Sequence, residues 1–410
     1  MRRKSGKTER FSFFSSQKGS MGLREENMNE CVRCGNCMER CPTFAESLAE
    51  GRGPRGRIAL LQHLHAGDLS RTCTMDDRIF SCMLCGACND RCPAGIRISE
   101  AVYAGRQALR QLPGRRDVTG TLMRHAFNHA SQAFRLVRAL QGIISLRPLQ
   151  SIAAVRVFRS LGIAIPPAAF RDGDSVYRVA RARGRIAIFA GCTIDFLYPA
   201  LGRLLVECLQ ALRYDVVVPK GEVCCGAPLM SLGFQEDAAA LAEKNLSLFK
   251  KLRVEAVISL CPTCVHFIRD VYREIAGEGI PQAMDDATFF AHHADSFRNA
   301  PTGQKSVYHA PCHTVHHLRS DSTARTLLAS AGCELIKTDP GCCGFGGAFA
   351  VLYEEMSVAI REKRLASYRN ADSIITSCPN CMIQFQHSCG QSTLRHTIEI
   401  IHQALTGARK

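Results

Sequence analysis

A chain of 410 residues with 46% hydrophobic residues, no tryptophan and a formal net charge of +15 is predicted to form two to four globular domains. It contains no run of about 18 uncharged apolar residues, which argues against a transmembrane helix, and no apolar segment follows its basic start, which argues against a secretory signal. The 22 cysteines therefore predict reduced thiols and bound metal in the cytoplasm rather than disulfides. Residues 1–27, rich in Lys, Arg, Ser and Glu, are predicted to form a flexible polar tail.

Two cysteine motifs have the spacing of bacterial ferredoxins that hold 4Fe–4S clusters. They occupy Cys31–Cys41 and Cys82–Cys92, and each has the form CxxCxxCxxxCP with a glycine after the second cysteine. Two intervening residues let the chain curl so that successive thiolates converge, and Gly35 and Gly86 tolerate the positive φ of such a curl. A pair of zinc sites is the alternative, but zinc gives no reason for this form to occur twice.

The fourth cysteine of each motif is assigned to the cluster of the other motif, as in two-cluster ferredoxins. Neither motif is then complete alone. The predicted ligands of the first 4Fe–4S cluster are Cys31, Cys34, Cys37 and Cys92. The predicted ligands of the second 4Fe–4S cluster are Cys82, Cys85, Cys88 and Cys41.

The segments around the two motifs are predicted to be helical. A helix is predicted to begin near Ile58, after the Gly- and Pro-rich stretch that opens the insertion between the motifs. Two further helices are predicted at about 75–80 and at 98–112. Because the insertion is long and helix-like, we expect a small helical ferredoxin domain rather than the compact β-rich type.

A basic stretch follows at residues 101–185, with fifteen arginines, three aspartates, no lysine and no glutamate. Apolar residues between Met123 and Val137 recur at helical spacing, which predicts a helical connector packed on both neighbours. The charge indicates either a surface for an acidic partner subunit or anionic lipid headgroups, or a set of solvated helix faces. Nucleic-acid binding is disfavoured, because no nucleic-acid module accompanies the arginines.

An internal repeat occupies the rest of the chain. Strands alternate with helices, with strands predicted at 185–190, 215–219 and 256–260 and helices at 200–213 and 238–252. This alternation is typical of an α/β unit with a mostly parallel sheet. The unit recurs over 305–410, and its three cysteine motifs are displaced by 120, 118 and 117 residues. A duplication that keeps register over this length predicts two similar domains.

Each repeat carries five cysteines in the order C…CC…CxxC, at strand ends where open α/β folds place their sites. The adjacent cysteines can serve one site because Gly226 or Gly344 follows them with a turn. Five soft thiolates favour an iron–sulfur cluster over zinc, which takes four ligands, and a disulfide or structural role is the alternative. The predicted metal ligands are Cys192, Cys224, Cys225, Cys261 and Cys264 in the first repeat, and Cys312, Cys342, Cys343, Cys378 and Cys381 in the second.

Several residues fall outside these patterns. Four cysteines are predicted to be small buried hydrophobes: Cys73, Cys208, Cys333 and Cys389. Three histidines that follow Cys312 are interpreted as surface or helix-capping residues, with a metal role as the less favoured alternative: His313, His316 and His317.

Together these motifs resemble those of the iron–sulfur subunits of glycolate oxidase (glycolate dehydrogenase) and their relatives, over residues 28–405. The resemblance is carried by both CxxCxxCxxxCP motifs, both CCG motifs, the stretch Gly53–Ile58 and the ending Leu394–Ile400. Similar CCG domains occur in heterodisulfide reductase, in lactate-utilisation proteins and in the iron–sulfur protein of anaerobic glycerol-3-phosphate dehydrogenase. Some CCG cysteines are often missing in glycolate oxidase subunits, whereas both sets are complete here. His396 matches a family position to which the sequence assigns no physical role.

The motifs and the resemblance predict an α+β multidomain protein. A helical domain with two 4Fe–4S clusters is followed by two duplicated α/β CCG domains. The predicted boundaries are 1–27 for the tail, 28–112 for the ferredoxin-type domain, 113–184 for the connector, 185–300 for the first CCG domain and 301–410 for the second.

No Rossmann GxGxxG motif for flavin or NAD and no nucleophile elbow is present, so no catalytic residue is assigned. Substrate oxidation is expected in a partner chain, which the resemblance implies is an FAD subunit. The first hypothesis is an electron-transfer subunit that passes electrons from glycolate, or a similar 2-hydroxy acid, toward a quinone. A membrane anchor partner is an alternative to the quinone, and the expected location is the inner face of the cytoplasmic membrane. Lactate and glycerol 3-phosphate are alternative substrates. The second hypothesis is disulfide reduction at a CCG cluster, and the third is a scaffold with structural metal.

Overall fold

The computed structural model describes residues 28–113, 117–144, 165–297, 304–386 and 388–407. The predicted tail at 1–27 lies outside the described residues. The described elements form a helical N-terminal part followed by two α/β units, which confirms the predicted fold class. Among these residues, no helix is both long and apolar enough to cross a membrane.

The N-terminal part consists of short helices around the two cysteine motifs, as the sequence predicted. The insertion helix begins at Pro54, earlier than expected, because proline suits the first helical position. Its C-terminal cap is Gly67, whose φ of +79° ends the helix. The α-helices are Pro42–Ser47, Pro54–Ala66, Cys73–Phe80 and Ile98–Gln111, and 3₁₀ turns cover Asn36–Met38, Glu50–Arg52 and Asn89–Arg91.

Two buried arginines hold the second cysteine motif in place. The Arg57 guanidinium donates to Thr43 Oγ1, Ser81 Oγ and the Arg78 carbonyl. Arg106, on the helix Ile98–Gln111, is 3% exposed. Its guanidinium donates to four backbone carbonyls: two at the end of the helix Cys73–Phe80, one at the start of the second motif and one in the first α/β unit. These acceptors are Ile79, Phe80, Cys82 and Ser231. Burial lowers the pKa of Arg106 from its usual value. This one side chain therefore ties the second motif to the first α/β unit.

Replacing Arg106 with methionine is expected to lower the free energy of unfolding by about 3 kcal/mol, because the buried carbonyls lose a charged donor while the apolar stem is kept. Anaerobic denaturant titration followed by circular dichroism measures the change. The matched control is Arg135→Met, which removes an exposed arginine and should change stability by less than about 0.5 kcal/mol. Equal effects of the two substitutions would contradict the role of Arg106.

The first α/β unit is a five-stranded sheet in the order β1-β3-β2-β4-β5. Its strands are β1 Val176–Tyr177, β2 Gly184–Ile188, β3 Tyr214–Val217, β4 Ala256–Ser259 and β5 Ala283–Asp285. All neighbouring pairs are parallel except β1 and β3. The helices are Gly191–Phe196, Pro199–Ala211, Ala227–Ser231, Gln235–Lys250, Pro262–His266, Tyr272–Ile275 and Asp286–Ala291. The three predicted strands are present, whereas β1 and β5 were not predicted from the sequence.

The second α/β unit repeats the parallel core of the first, with the strand order β7-β6-β8-β9. Its strands are β6 Lys305–His309, β7 Glu334–Leu335, β8 Ser373–Thr376 and β9 Thr393–His396, all paired in parallel. Its helices are Asp321–Ser330, Ala348–Leu352, Glu354–Ala366, Pro379–Phe385 and Thr397–Thr406. The order matches β3-β2-β4-β5, as expected for a duplicated unit.

The two units share one hydrophobic core. The helix Pro199–Ala211 of the first unit packs against Thr397–Thr406 of the second, and fully buried leucines and isoleucines from both fill the contact. The residues with no exposed surface at this contact include Leu205, Leu209, Ile398 and Ile401. Burial of this kind stabilises by about 1.5–3 kcal/mol per large apolar side chain, so we expect the two units to unfold together.

The connector contains two helices, Val118–Asn128 and Ala130–Ile144, and its described part packs on the first α/β unit. Phe134 stacks on Phe196 at 4.5 Å between ring centroids. Many arginines of the basic stretch serve contacts within the chain. Of the ten that the structure describes, five bind backbone carbonyls or carboxylates: Arg106, Arg110, Arg124, Arg138 and Arg171. Part of the predicted basic surface is therefore neutralised internally.

Candidate metal centres

The two ferredoxin-type loops have the same backbone conformation. Gly35 and Gly86 adopt φ of +87° and +81°, and the residues two positions before them, Arg33 and Leu84, also have positive φ. This repeated left-handed geometry curls each loop sharply around its second cysteine. The glycines are required here, because a β-carbon on Gly86 would lie 2.6 Å from His317 Nε2.

The thiols of the first motif meet the last cysteine of the second. Burial, together with the charges of Cys92, Cys31 and Cys34, raises the pKa of Cys37 to about 11. Thiolates that converge in this way repel one another unless a positively charged metal core lies between them. The donor set therefore fits an iron–sulfur cluster.

The reciprocal arrangement surrounds the second motif. Cys41 lines the same cavity as Cys82, Cys85 and Cys88. Burial and the charges of the other three cysteines raise the pKa of Cys88 well above its usual value. The structure thus brings the fourth cysteine of each motif to the three leading cysteines of the other.

The first repeat places five thiols at the carboxyl edge of its sheet. Cys192 follows β2, Cys224 and Cys225 precede Gly226 at φ +88°, and the last two begin the helix Pro262–His266. The Sγ atoms of Cys225 and Cys264 are 3.6 Å apart, and the remaining thiols continue this network of hydrogen bonds.

A buried carboxylate shapes the turn before Cys192. Glu222 accepts hydrogen bonds from the backbone N–H groups of Ala190 and Gly191, at 2.9 and 2.7 Å. Burial raises the pKa of Glu222 to about 7, against the lowering effect of Arg171. Sequence reasoning missed this residue, although it lies two positions before the adjacent cysteines.

The second repeat arranges its five cysteines in the same way. The thiols of Cys312 and Cys343 lower the pKa of Cys342 well below its usual value, and the Sγ atoms of Cys343 and Cys381 are 3.3 Å apart. The neighbouring Cys261 and Cys381 lower the pKa of Cys378 in the same way. Gly344, at φ +91°, supplies the turn after the adjacent pair; a β-carbon there would lie 2.6 Å from the Ser357 carbonyl oxygen.

The second site also includes a histidine that the sequence reasoning did not assign. A ring nitrogen of His309 and the Sγ atoms of Cys343 and Cys381 lie within 4.8 Å of one another, and all three residues are buried. The displacement of 120 residues between the repeats aligns His309 with Phe189 and could have identified this difference.

The two five-cysteine sites touch each other across the interface between the repeats. Asn380 of the second repeat donates from its side-chain amide to Cys261 Sγ of the first at 3.9 Å, and Cys261 and Cys378 lie close enough for each to affect the pKa of the other. Thr193 Oγ1 lies 3.1 Å from Asn380 Oδ1, and Thr263 Oγ1 lies 3.3 Å from His313 Nδ1. In both cases the residue after the first cysteine of one repeat meets the residue inside the CxxC of the other, so the interface is pseudo-symmetric.

The second repeat also contacts the ferredoxin part. Cys342 Sγ lies 3.9 Å from Met83 Sδ, and the Cys342 charge acts directly on Cys85. At this junction Asp90 pairs with His316 at 2.6 Å and with Arg319 at 2.8 Å. The four cysteine sites therefore follow one another in space: first ferredoxin site, second ferredoxin site, second repeat, first repeat.

One tyrosine lies close to three of these four sites. Burial, with the charges of Cys82, Cys312 and Cys225, raises the pKa of Tyr103. Its ring packs edge-on against Phe267 of the first repeat, with centroids 6.4 Å apart. Tyr103 thus marks the point at which the second ferredoxin site approaches both repeats.

The histidines near the second repeat's site are more buried than the sequence predicted. His313, His316 and His317 are partly buried rather than on the surface, and the rings of His317 and His266 lie 4.2 Å apart with their planes tilted by 36°. His396, which had no assigned role, is fully buried. Its Nδ1 accepts from the Ile398 N–H, so its Nε2 proton is directed to the Leu260 carbonyl 3.1 Å away. His396 thereby links the second repeat to the chain segment that leads to Cys261.

The four cysteines outside the motifs differ in exposure. Cys208 and Cys333 are buried and Cys389 is partly buried, in agreement with the predicted packing role, whereas Cys73 is exposed. The prediction for Cys73 is wrong, because this residue begins the helix Cys73–Phe80 on its solvent side. All 22 cysteines lie among the described residues and are free thiols.

Comparison with known proteins matches these parts to two family models. Residues 27–96 match the model of the 4Fe-4S dicluster domain, and residues 186–269 and 306–386 each match that of the cysteine-rich domain CCG. The predicted iron–sulfur cofactors are thereby confirmed. The residues present also fit them, since several thiols converge at each site.

Two relatives align with nearly the whole chain, and a third aligns with about half of it. The probable glycolate oxidase iron–sulfur subunit of Bacillus subtilis is 25% identical over 420 residues, with 93% of this chain and 94% of the relative covered. The glycolate oxidase iron–sulfur subunit of Escherichia coli K12 is 23% identical over 398 residues, with 92% and 94% covered. The C subunit of the anaerobic glycerol-3-phosphate dehydrogenase of E. coli K12 is 28% identical over 242 residues, with 55% and 60% covered.

Proposed function

We propose that this chain transfers electrons from a flavin-containing partner subunit to a quinone. It belongs to the family of iron–sulfur subunits that includes those of glycolate oxidase. The electrons come from the oxidation of a 2-hydroxy acid, with glycolate as the substrate. The observation that carries the proposal is the continuous order of four cysteine sites from the ferredoxin part to the first repeat. Such an order serves electron transfer and has no evident purpose in a metal scaffold.

Each ferredoxin site is proposed to hold a 4Fe–4S cluster, which supplies one-electron redox chemistry when bound. The first is assigned to Cys31, Cys34, Cys37 and Cys92, and the second to Cys82, Cys85, Cys88 and Cys41. The five cysteines of each repeat are proposed to hold a further iron–sulfur cluster. The buried arginines near the second motif stabilise added negative charge there, since Arg106 donates to the Cys82 carbonyl.

The partner is proposed to carry FAD and the substrate site. The arginines of the basic stretch that are not used within the chain offer a surface for an acidic region of that partner or for a membrane headgroup. Among the described arginines of the basic stretch, those without a carboxylate partner in the chain include Arg135, Arg178 and Arg181.

The proposed function is tested on the complex purified anaerobically with its co-expressed neighbours. Glycolate, lactate and glycerol 3-phosphate are compared as electron donors, with a quinone or an artificial dye as acceptor. We expect glycolate to give the fastest turnover. Replacing Cys31, Cys34 and Cys37 with serine should stop quinone reduction and preserve dye reduction at the flavin. Absence of an iron EPR signal in the reduced complex would contradict the proposal.

A second candidate function is reduction of a disulfide at the repeats. It is favoured by the complete five-cysteine sets and by the contact of Asn380, inside the second CxxC, with Cys261 Sγ, which places the two sites side by side. Disulfide-dependent oxidation of reduced clusters, observed without the flavin partner and abolished by Cys378→Ala, would support it. Turnover of glycolate with no response to disulfides would exclude it.

A further inference from the structure

The two repeats differ at one pair of positions beside their cysteine sites. In the first repeat, Phe189 and Phe249 face each other with ring centroids 5.6 Å apart. In the second repeat the corresponding residues, displaced by 120 and 119 positions, are His309 and Tyr368, with centroids 6.0 Å apart. A hydrocarbon pair in one site is thus replaced by a polar pair in the other.

The histidine of this polar pair has one nitrogen in use and one free. His309 is 1% exposed, and its Nδ1 lies 2.8 Å from Tyr368 Oη. Its Nε2 is buried without a hydrogen-bond partner, and a ring nitrogen of His309 lies within 4.8 Å of the Sγ atoms of Cys343 and Cys381. A buried polar atom without a partner costs free energy, so this nitrogen is expected to have a partner when the site is filled.

The neighbouring groups decide which nitrogen of His309 carries the proton. The Arg364 guanidinium, which has donors only, lies over the Tyr368 ring at 5.8 Å from its centroid and offers no acceptor for the hydroxyl. The Tyr368 hydroxyl proton is then available for Nδ1 of His309. A neutral imidazole that accepts at Nδ1 carries its proton on Nε2. This N–H is directed toward the thiolate sulfurs, which can only accept.

We propose that His309 donates an N–H···S hydrogen bond from Nε2 to the sulfurs of Cys343 and Cys381 and makes the second repeat's site easier to reduce than the first repeat's site. This inference rests on the proposed function, in which both repeats hold iron–sulfur clusters. Hydrogen bonds to sulfur raise the reduction potential of such sites, because they stabilise the added electron. Phe189 provides no donor at the equivalent position.

The consequence is a potential difference between two otherwise similar sites. The second repeat lies between the ferredoxin part and the first repeat, so an electron that leaves the ferredoxin part would reside preferentially at the site next to His309. Tyr368 and His309 act as positioning residues for this effect, since the Tyr368 hydroxyl orients the His309 ring.

The test is an EPR-monitored redox titration of the anaerobically purified holoprotein. His309→Phe, which introduces the first repeat's residue, should lower the midpoint potential of the second repeat's site by about 59 mV or more, a tenfold change in its one-electron equilibrium. His309→Gln retains an N–H donor and should restore part of the shift. Tyr368→Phe should give a smaller decrease, because Nδ1 of His309 loses its donor.

The first repeat provides the matched control. The double substitution Phe189→His with Phe249→Tyr should raise the midpoint potential of the first repeat's site and leave the ferredoxin clusters unchanged. If His309→Phe fails to fold, this reciprocal change together with His309→Gln and Tyr368→Phe decides the question.

Two results would overturn the inference alone. One is full iron content with an unchanged midpoint potential in His309→Phe and in the reciprocal variant. The other is a strong electron–nuclear coupling to ¹⁵N-labelled histidine in the unsubstituted protein, which would indicate a direct metal–nitrogen bond instead of a hydrogen bond. Absence of iron from both repeats would instead overturn the proposed function on which the inference rests.

Discussion

Replacing Cys92 with alanine is expected to remove iron from the site of the first motif, although Cys92 belongs to the second. The reason is that the Cys92 charge acts on Cys37 together with those of Cys31 and Cys34. A 4Fe–4S cluster that loses one of its four thiolates is expected to be lost, so the iron content should fall by about four atoms per chain. Iron analysis and EPR of the reduced protein measure this change.

The comparison that decides this prediction uses one cysteine from each motif. The EPR spectrum of Cys92→Ala should match that of Cys34→Ala and differ from that of Cys85→Ala. The EPR spectrum of Cys41→Ala should match that of Cys85→Ala and differ from that of Cys34→Ala, because Cys41 lines the cavity of the second motif. Cys73→Ala, at an exposed thiol, should retain all iron. A Cys92→Ala spectrum that matches Cys85→Ala would contradict the exchange of ligands between motifs.

Removing the adjacent cysteines of the second repeat is expected to isolate the first repeat from the ferredoxin part. The double variant Cys342→Ala/Cys343→Ala loses the site of the second repeat, which lies between the ferredoxin part and the first repeat. Cys342 is next to Met83 on the ferredoxin side and to Cys312 within its own site. After a reducing pulse, electron exchange between the ferredoxin clusters and the first repeat should fall below detection by rapid-freeze EPR. The first repeat should remain reducible by a small chemical reductant.

The equivalent substitutions in the first repeat are the matched control. Cys224→Ala/Cys225→Ala should leave exchange between the ferredoxin clusters and the second repeat at its normal rate, because the first repeat is last in the order. Should the first repeat still exchange electrons normally without the second repeat's site, the route would instead pass Tyr103, which lies near Cys82 and Cys225.

The neighbourhood of the second repeat shows why local patterns could not predict this order. The CxxC of each repeat is a local motif, and its placement at a strand end follows from the α/β alternation. The proximity of Cys261 to Cys378, however, involves residues more than a hundred positions apart. It depends on how the helices Pro199–Ala211 and Thr397–Thr406 pack in the shared core, which no local spacing encodes.

Buried polar residues were missed for a related reason. Arg57, Arg106 and Glu222 looked like ordinary charged residues, which are usually exposed. Each is buried because backbone groups from distant segments satisfy it. His396 likewise acquires a role only when the Leu260 carbonyl of the other repeat is brought to its Nε2.

The sequence by itself determined the chemistry and the architecture of this protein: two ferredoxin motifs, a duplicated α/β unit and ten further cysteines in two matching sets. These features are local or periodic, because ligand spacing, turn glycines and strand–helix alternation act over a few residues. Only the tertiary structure decided the order of the four sites, the contact between the two repeats and the position of His309 beside Cys343 and Cys381. Those depend on packing between segments distant in the chain, where burial and hydrogen bonding select one arrangement among many that the same local patterns allow.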